Sequence, residues 1–69
     1  MGTTVAKVIE ISASSKKGVE DAVQAGLKKV AKSVKNINGA WVNDIKVVTS
    51  GDGSVIEWRV NMKVTFTVS

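Results

Sequence analysis

The sequence contains no cysteine and no histidine. Disulfides and thiolate nucleophiles are thereby excluded, and so are the usual transition-metal ligands and the ordinary proton shuttle. Carboxylates are scarce: Glu10, Glu20, Asp21, Asp44, Asp52 and Glu57 are all there are. Only Glu20 and Asp21 are adjacent, and neighbouring residues on a helix point apart, so they form no acid/base couple. There is no nucleotide-binding loop, because Gly51-x-Gly53 is turn chemistry rather than a phosphate cradle. The expectation is a protein that is not an enzyme, with no catalytic residues and no metal site. Long apolar runs are missing as well. No stretch approaches the roughly 20 residues needed to cross a bilayer, and the N-terminus lacks a basic region followed by an apolar run. These features predict a cytoplasmic, unprocessed chain with no membrane partner.

At 69 residues the chain is a single domain, residues 1–69. A core this small rarely supplies more than ~3–5 kcal/mol. Without disulfides or a metal, oligomerisation or very good packing must make up the difference. The composition is that of a soluble globular protein, 43% hydrophobic and 23% charged with a formal charge of +4. Lys28, Lys32 and Lys35 share one side of a helix, with Lys29 beside them, but no aromatic residue or arginine interleaves them. This is a solvated helix face, and no nucleic-acid partner is expected.

The order of elements reads as β-α-β-β. Residues 5–11, Val-Ala-Lys-Val-Ile-Glu-Ile, are a short β-branched strand. Ser14 or Ser15 is a natural N-cap for a helix over Lys16 to Asn36. Its apolar stripe is Val19, Val23, Leu27, Val30, Ala31, Val34 and Ile37, at helical spacing, and Ala22 and Gly26 let it sit close on a sheet. Asn38-Gly39 ends the helix as a left-handed cap. A strand follows from Trp41 to Thr49, where Val42 and Ile45 fall on opposite parities around Asn43-Asp44, which predicts a β-bulge. Ser50-Gly51-Asp52-Gly53 turns a hairpin. Ile56, Trp58, Val60, Met62, Val64, Phe66 and Val68 then alternate without error against polar residues, giving a strand with one buried and one wet face.

From Val55 to Val68 that strand is roughly 46 Å long, whereas a compact chain of this size is roughly 28 Å across. The strand outreaches its subunit, so it curls around the helix or is covered by neighbours. The fold class is α+β, a three-stranded antiparallel sheet packed on one amphipathic helix and assembled into an oligomer. Trp58 and Phe66 belong to the core face. Trp41, after the helix, either packs at a subunit contact or sheet edge, or offers a flat surface for stacking a planar ligand.

The order of parts and the local sequence resemble the dodecin family, over nearly the whole chain from Val5 to Val68. The resemblance rests on Lys7-Val8-Ile9-Glu10-Ile11, on Ser14-Ser15-x-x-Gly18-Val19-Glu20-x-Ala22-Val23-Gln24-Ala25 and on Val60-x-Met62-Lys63-Val64-x-Phe66. It implies a β-α-β-β flavin-binding and storage protein assembled as a hollow homo-dodecamer, with riboflavin, FMN or FAD as cofactor. Dodecins stack the flavin on a Trp in a segment after the helix, and here that position is Gly39. The Gln that holds the ring edge on the last strand corresponds to Arg59, and the acidic residue five positions after the stacking Trp is kept as Asp44. Trp41 shares the parity of Gly39, so its indole either stacks a ligand in the space Gly39 leaves or plugs it. The cofactor-binding set implied is Trp41, Arg59, Asp44 and Gly39.

Arg59 has no acceptor atoms, unlike a Gln, so together with Trp41 it predicts an anionic planar ligand such as a phosphorylated flavin. Its competing role is a salt bridge to Glu57, Asp44 or a neighbouring subunit. The competing function is a structural dodecameric shell or interaction protein that has lost flavin binding.

Overall fold

The long alternating strand organises the sheet. The computed structural model of the chain describes residues 3–68, and its elements run β1 (Val5–Ser15), α1 (Val19–Val30), β2 (Ile37–Thr49) and β3 (Val55–Val68). The sheet has three strands in the order β1-β3-β2, and β3 pairs antiparallel with both neighbours. The expected β-α-β-β, α+β architecture is what the chain forms. No helix among the described residues is long and apolar enough to cross a membrane.

Residues directly opposite in an antiparallel pair point to the same face. Ile9, Ile11 and Ala13 of β1 therefore share the inner face with their partners Val64, Met62 and Val60. The helix lies on this face over β1 and β3. Ala22, Val60, Met62 and Val64 are fully buried there, ringed by half-buried Ile9, Ile11, Ala13, Val19, Val23, Leu27 and Ile37. The molecule measures 57 × 20 × 14 Å with a radius of gyration of 14.5 Å, against about 11 Å for a compact chain of this length. A strand that overruns its own subunit is the reason.

Three local expectations are corrected. First, β1 continues to Ser15 instead of stopping at Ile11, because β3 is long enough to pair Ser12 with Asn61 and Ser15 with Trp58. The helix accordingly begins at Val19, and its cap position is Gly18, with no side-chain cap. The Ser15 hydroxyl instead donates to Asp21 Oδ2 (2.7 Å) and accepts from the Lys17 N–H (2.9 Å), which fastens the corner between strand and helix. Second, the regular helix ends at Val30, short of Asn36. Turns follow, with the Ser33 and Val34 N–H groups both donating to the Val30 carbonyl at 2.9 Å.

Third, the left-handed residue after the helix is Asn36, with φ 63°, in place of Asn38-Gly39. Asparagine enters this region more readily than other side chains do. The Asn36 carbonyl accepts from the Thr67 N–H at 3.0 Å, so β2 starts at Ile37, opposite Phe66, ahead of the expected Trp41. β3 thus recruits, towards each of its ends, chain that local signals assigned to turns.

The hairpin forms where expected. The Ser50 N–H donates to the Ser54 carbonyl (2.9 Å) and the Gly53 N–H to the Ser50 carbonyl (3.0 Å), and Gly53 takes a φ of 89°. The Asp52 carboxylate accepts from the Ser50 hydroxyl and from the Ser54 N–H. The Ser50 hydroxyl first, and the Ser54 backbone second, lower its pKa from 3.8 to about 2. The folded value is depressed, so any contribution to stability is complete above pH 3.8 and is lost as pH falls through about 2. NMR titration of the Asp52 carboxyl should give a midpoint near 2, and Ser50→Ala should raise it.

At Gly26 the helix lies close on the sheet. A Cβ there would stand 2.8 Å from the Ala13 Cβ and 3.2 Å from the Met62 Cε. The Met62 end can swing aside, but the Ala13 Cβ is fixed to its strand. Overpacking costs ~1–3 kcal/mol, against at most ~1 kcal/mol gained by replacing glycine in a helix. Gly26→Ala is expected to lower the thermal midpoint, while Ala25→Ser, one position away, leaves it within a degree or two.

Candidate functional site

Two irregularities in β2 decide which side chains share a face. Val42 pairs with Met62, Asp44 with Asn61 and Ile45 with Val60, which leaves Asn43 as the extra residue of the expected bulge. Val42 and Ile45 are thereby both placed on the inner face, although their spacing in a regular strand would put them on opposite sides. Trp41 and Asp44 both fall on the outer face, away from the helix. A second shift between Ile37 and Gly39 makes Asn38 the extra residue and sets Gly39, opposite Thr65, on the outer face with Trp41.

Rows of partners now cross the outer face. One row is Glu10, Lys63 and Trp41, the next is Ser12, Asn61 and Asp44, and the third is Ser14, Arg59 and Lys46. Trp41 is 63% exposed. With Gly39, Ala40 and Thr65 it lines a cleft of about 240 Å³. A Cβ at Gly39 would meet only Thr65 Oγ1, at 3.5 Å, which is ordinary contact. A side chain would fit at this position, and with glycine the floor beside the indole stays open.

Beside this floor, Asn38 Nδ2 donates to Thr67 Oγ1 (2.8 Å), and the Thr65 hydroxyl donates to Asn38 Oδ1 (2.6 Å) with the Gly39 carbonyl 3.1 Å away.

Gly39 and Trp41 are brought together in one cleft. Asp44 stands one row away, where its Oδ2 accepts from Asn61 Nδ2 at 3.4 Å. Arg59 lies a further row along β3, four residues from Lys63 and so about 13 Å from it. Its Nε donates to Glu57 Oε2 at 2.6 Å, one of the ion pairs expected as its alternative role. Asn38, Thr65 and Thr67 were not singled out in the sequence. The alternation of β3 marks the two threonines as outward, but only the register at Asn38 shows what they face. No group of three or more His, Cys, Asp or Glu among the described residues could hold a metal ion.

Larger hollows of about 710 Å³ and 380 Å³ flank the helix. They are open margins of the helix-on-sheet packing and contain no aromatic side chain. On the inner face, Val42, Ile45 and Val47 of β2 are 43%, 58% and 42% exposed, because the helix covers β1 and β3 instead.

The family model described as Dodecin matches residues 5–69. Among solved structures, an arginine-to-alanine variant of the Thermus thermophilus dodecin superposes with a TM-score of 0.89 at 28% identity, covering 97% of both chains. The dodecin from Streptomyces davaonensis gives 0.91 at 25% identity, covering 99% of this chain and 98% of its own. The calcium dodecin of Mycobacterium tuberculosis, described as having a calcium-binding site, gives 0.79 at 26% identity, over 94% and 91%. No curated protein sequence matches.

The bulge at Asn43 can be tested directly. Deleting Asn43 removes the extra residue and leaves Val42, Asp44 and Ile45 in regular alternation, so Val42 and Ile45 keep the inner face, whereas deleting Asn43 and Asp44 together makes Val42 and Ile45 neighbours on opposite faces. The double deletion is expected to lower the thermal midpoint and change the quenching of tryptophan emission by acrylamide, while deletion of Asn43 alone leaves the quenching near the wild-type value.

Proposed function

The chain belongs to the dodecin family, and from that membership we propose that it is a cytoplasmic, non-catalytic protein that self-assembles and holds a flavin or similar planar ring against Trp41. The observation that carries this reading is the indole itself, 63% exposed beside the open backbone of Gly39. A tryptophan that plugged the space would be buried in it. The stacking surface has moved two residues along β2 from the position the family resemblance assigns to it, but it stays on the same face.

A cleft of about 240 Å³ falls below the ~300–1,000 Å³ usual for ligand sites, so one chain supplies a half-site that a second copy completes. The apolar inner face of β2, at Val42, Ile45 and Val47, supports self-association. A homo-dodecamer is the assembly we propose. Asp44 and Arg59 lie along the outer face, where they meet the substituent of a ring seated at Trp41. With Glu57 on its Nε, Arg59 favours a phosphorylated substituent less than a free guanidinium would. A bare shell is the second reading, and its support is Gly39 at the position where a dodecin stacks the flavin.

Fluorescence titration of riboflavin and FMN separates the two. Base-type stacking contributes ~1–3 kcal/mol, so Trp41→Ala is expected to weaken riboflavin binding roughly tenfold to a hundredfold. Light scattering on the same samples should return the same oligomer for wild type and variant. Flavin fluorescence unchanged by the wild-type protein would leave the shell reading standing.

A further inference from the structure

We propose that Asn38 is a site of covalent modification, spontaneous deamidation through a cyclic imide, and that the Thr65 and Thr67 hydroxyls set its rate by holding the side-chain amide against β3.

The chemistry is intramolecular. The Gly39 backbone nitrogen gives up its proton to solvent base and bonds to Asn38 Cγ, and the Cγ–Nδ2 bond breaks with loss of ammonia. Water then opens the ring. Cleavage of the new Cγ–N bond leaves aspartate. Cleavage at the main-chain carbonyl leaves isoaspartate, in which the chain runs through the side chain. Water is the only co-reactant.

The residue that follows the asparagine decides how easily this nitrogen is reached, because a side chain there crowds the approach and glycine has none. The four asparagines, Asn36, Asn38, Asn43 and Asn61, precede Ile37, Gly39, Asp44 and Met62. All four are exposed, so exposure does not single one out, and the neighbour does. Asp52 also precedes a glycine, but with its pKa lowered to about 2 by the Ser50 hydroxyl it stays ionised at neutral pH, and a carboxylate resists attack by an amide nitrogen. Asn38 is in addition the extra residue of the shift between Ile37 and Gly39, where the main chain departs from the regular ladder.

The fold opposes the reaction. Asn38 Nδ2 donates to Thr67 Oγ1 at 2.8 Å, and Oδ1 accepts from the Thr65 hydroxyl at 2.6 Å. These bonds draw the amide across to β3, whereas ring closure needs Cγ turned back onto its own strand. Conversion in the folded chain therefore follows local opening of this contact. An aspartate at 38 keeps a tie, since the Thr67 hydroxyl turns to donate to it. An isoaspartate adds a main-chain carbon ahead of Gly39 and displaces Gly39 and Trp41 from their partners Thr65 and Lys63.

The full chain is incubated in warm, mildly alkaline buffer beside a sample unfolded in urea, and its peptides are mapped by mass spectrometry for replacement of NH₂ by OH. Asn38 is expected to convert ahead of the other three asparagines in both samples, and roughly tenfold more slowly in the folded one. Thr67→Val, which retains the shape and strand preference of threonine, should raise the folded rate severalfold and leave the rate in urea unchanged, and Thr67→Ser should restore the wild-type rate. Gly39→Ala, whose Cβ would meet only Thr65 Oγ1 at 3.5 Å, should slow both samples. Circular dichroism checks that each variant folds. A folded rate unmoved by Thr67→Val, or equal to the rate in urea, overturns the role of the hydroxyls. Earlier conversion of Asn36, Asn43 or Asn61 in the folded protein overturns the site.

Discussion

The packing of α1 on β3 sets the terms for everything else. A helix of 12 residues is about 18 Å long, while the strand beneath it has 14 residues and runs to about 46 Å. The helix can bury Val60, Met62 and Val64 and little more, and Gly26 lets it approach closely enough to do so. The rest of the inner face remains uncovered, most of all Val42, Ile45 and Val47 of β2. A chain with no cysteine has no covalent means of compensating for so small a core. The uncovered strand surface and the deficit in stability have one origin, and the self-assembly proposed above answers both.

The same strand organises the outer face. Along most of β3 the irregularities fall in its partner β2, at Asn38 and Asn43, and only beside the hairpin is the extra residue Ile56 of β3 itself. Bulges blunt β2 as an edge strand and also re-aim side chains. Asn43 lets two apolar residues point inward while Trp41 and Asp44 point outward. Asn38 does the same for Gly39 and adds a polar side chain that crosses to Thr65 and Thr67.

Family membership and local chemistry meet at this face. Gly39, where the resemblance would place a stacking tryptophan, leaves space, and Trp41 two residues later lines the same cleft. Arg59 brings a cation where the resemblance would place an amide, and Glu57 takes up part of it. A polar pair of this kind, at the exposed surface, contributes little to stability.

The sequence by itself determined the elements that depend on periodicity. Val55 to Val68 was legible to the residue because strict alternation has no other reading, and the hairpin and the Asn43 bulge followed from turn residues and broken parity. It also determined that the strand was too long for its subunit. Tertiary structure decided what depends on pairing across the sheet. The ends of β1 and β2 were extended by β3 beyond Ile11 and ahead of Trp41, since an available partner strand outweighs the weak local preference of serine, asparagine and glycine for turns. For the site, Trp41 and Gly39 share a parity readable in the sequence, whereas Asn38 joins Thr65 and Thr67 across 27 and 29 positions of chain through a register no local pattern encodes.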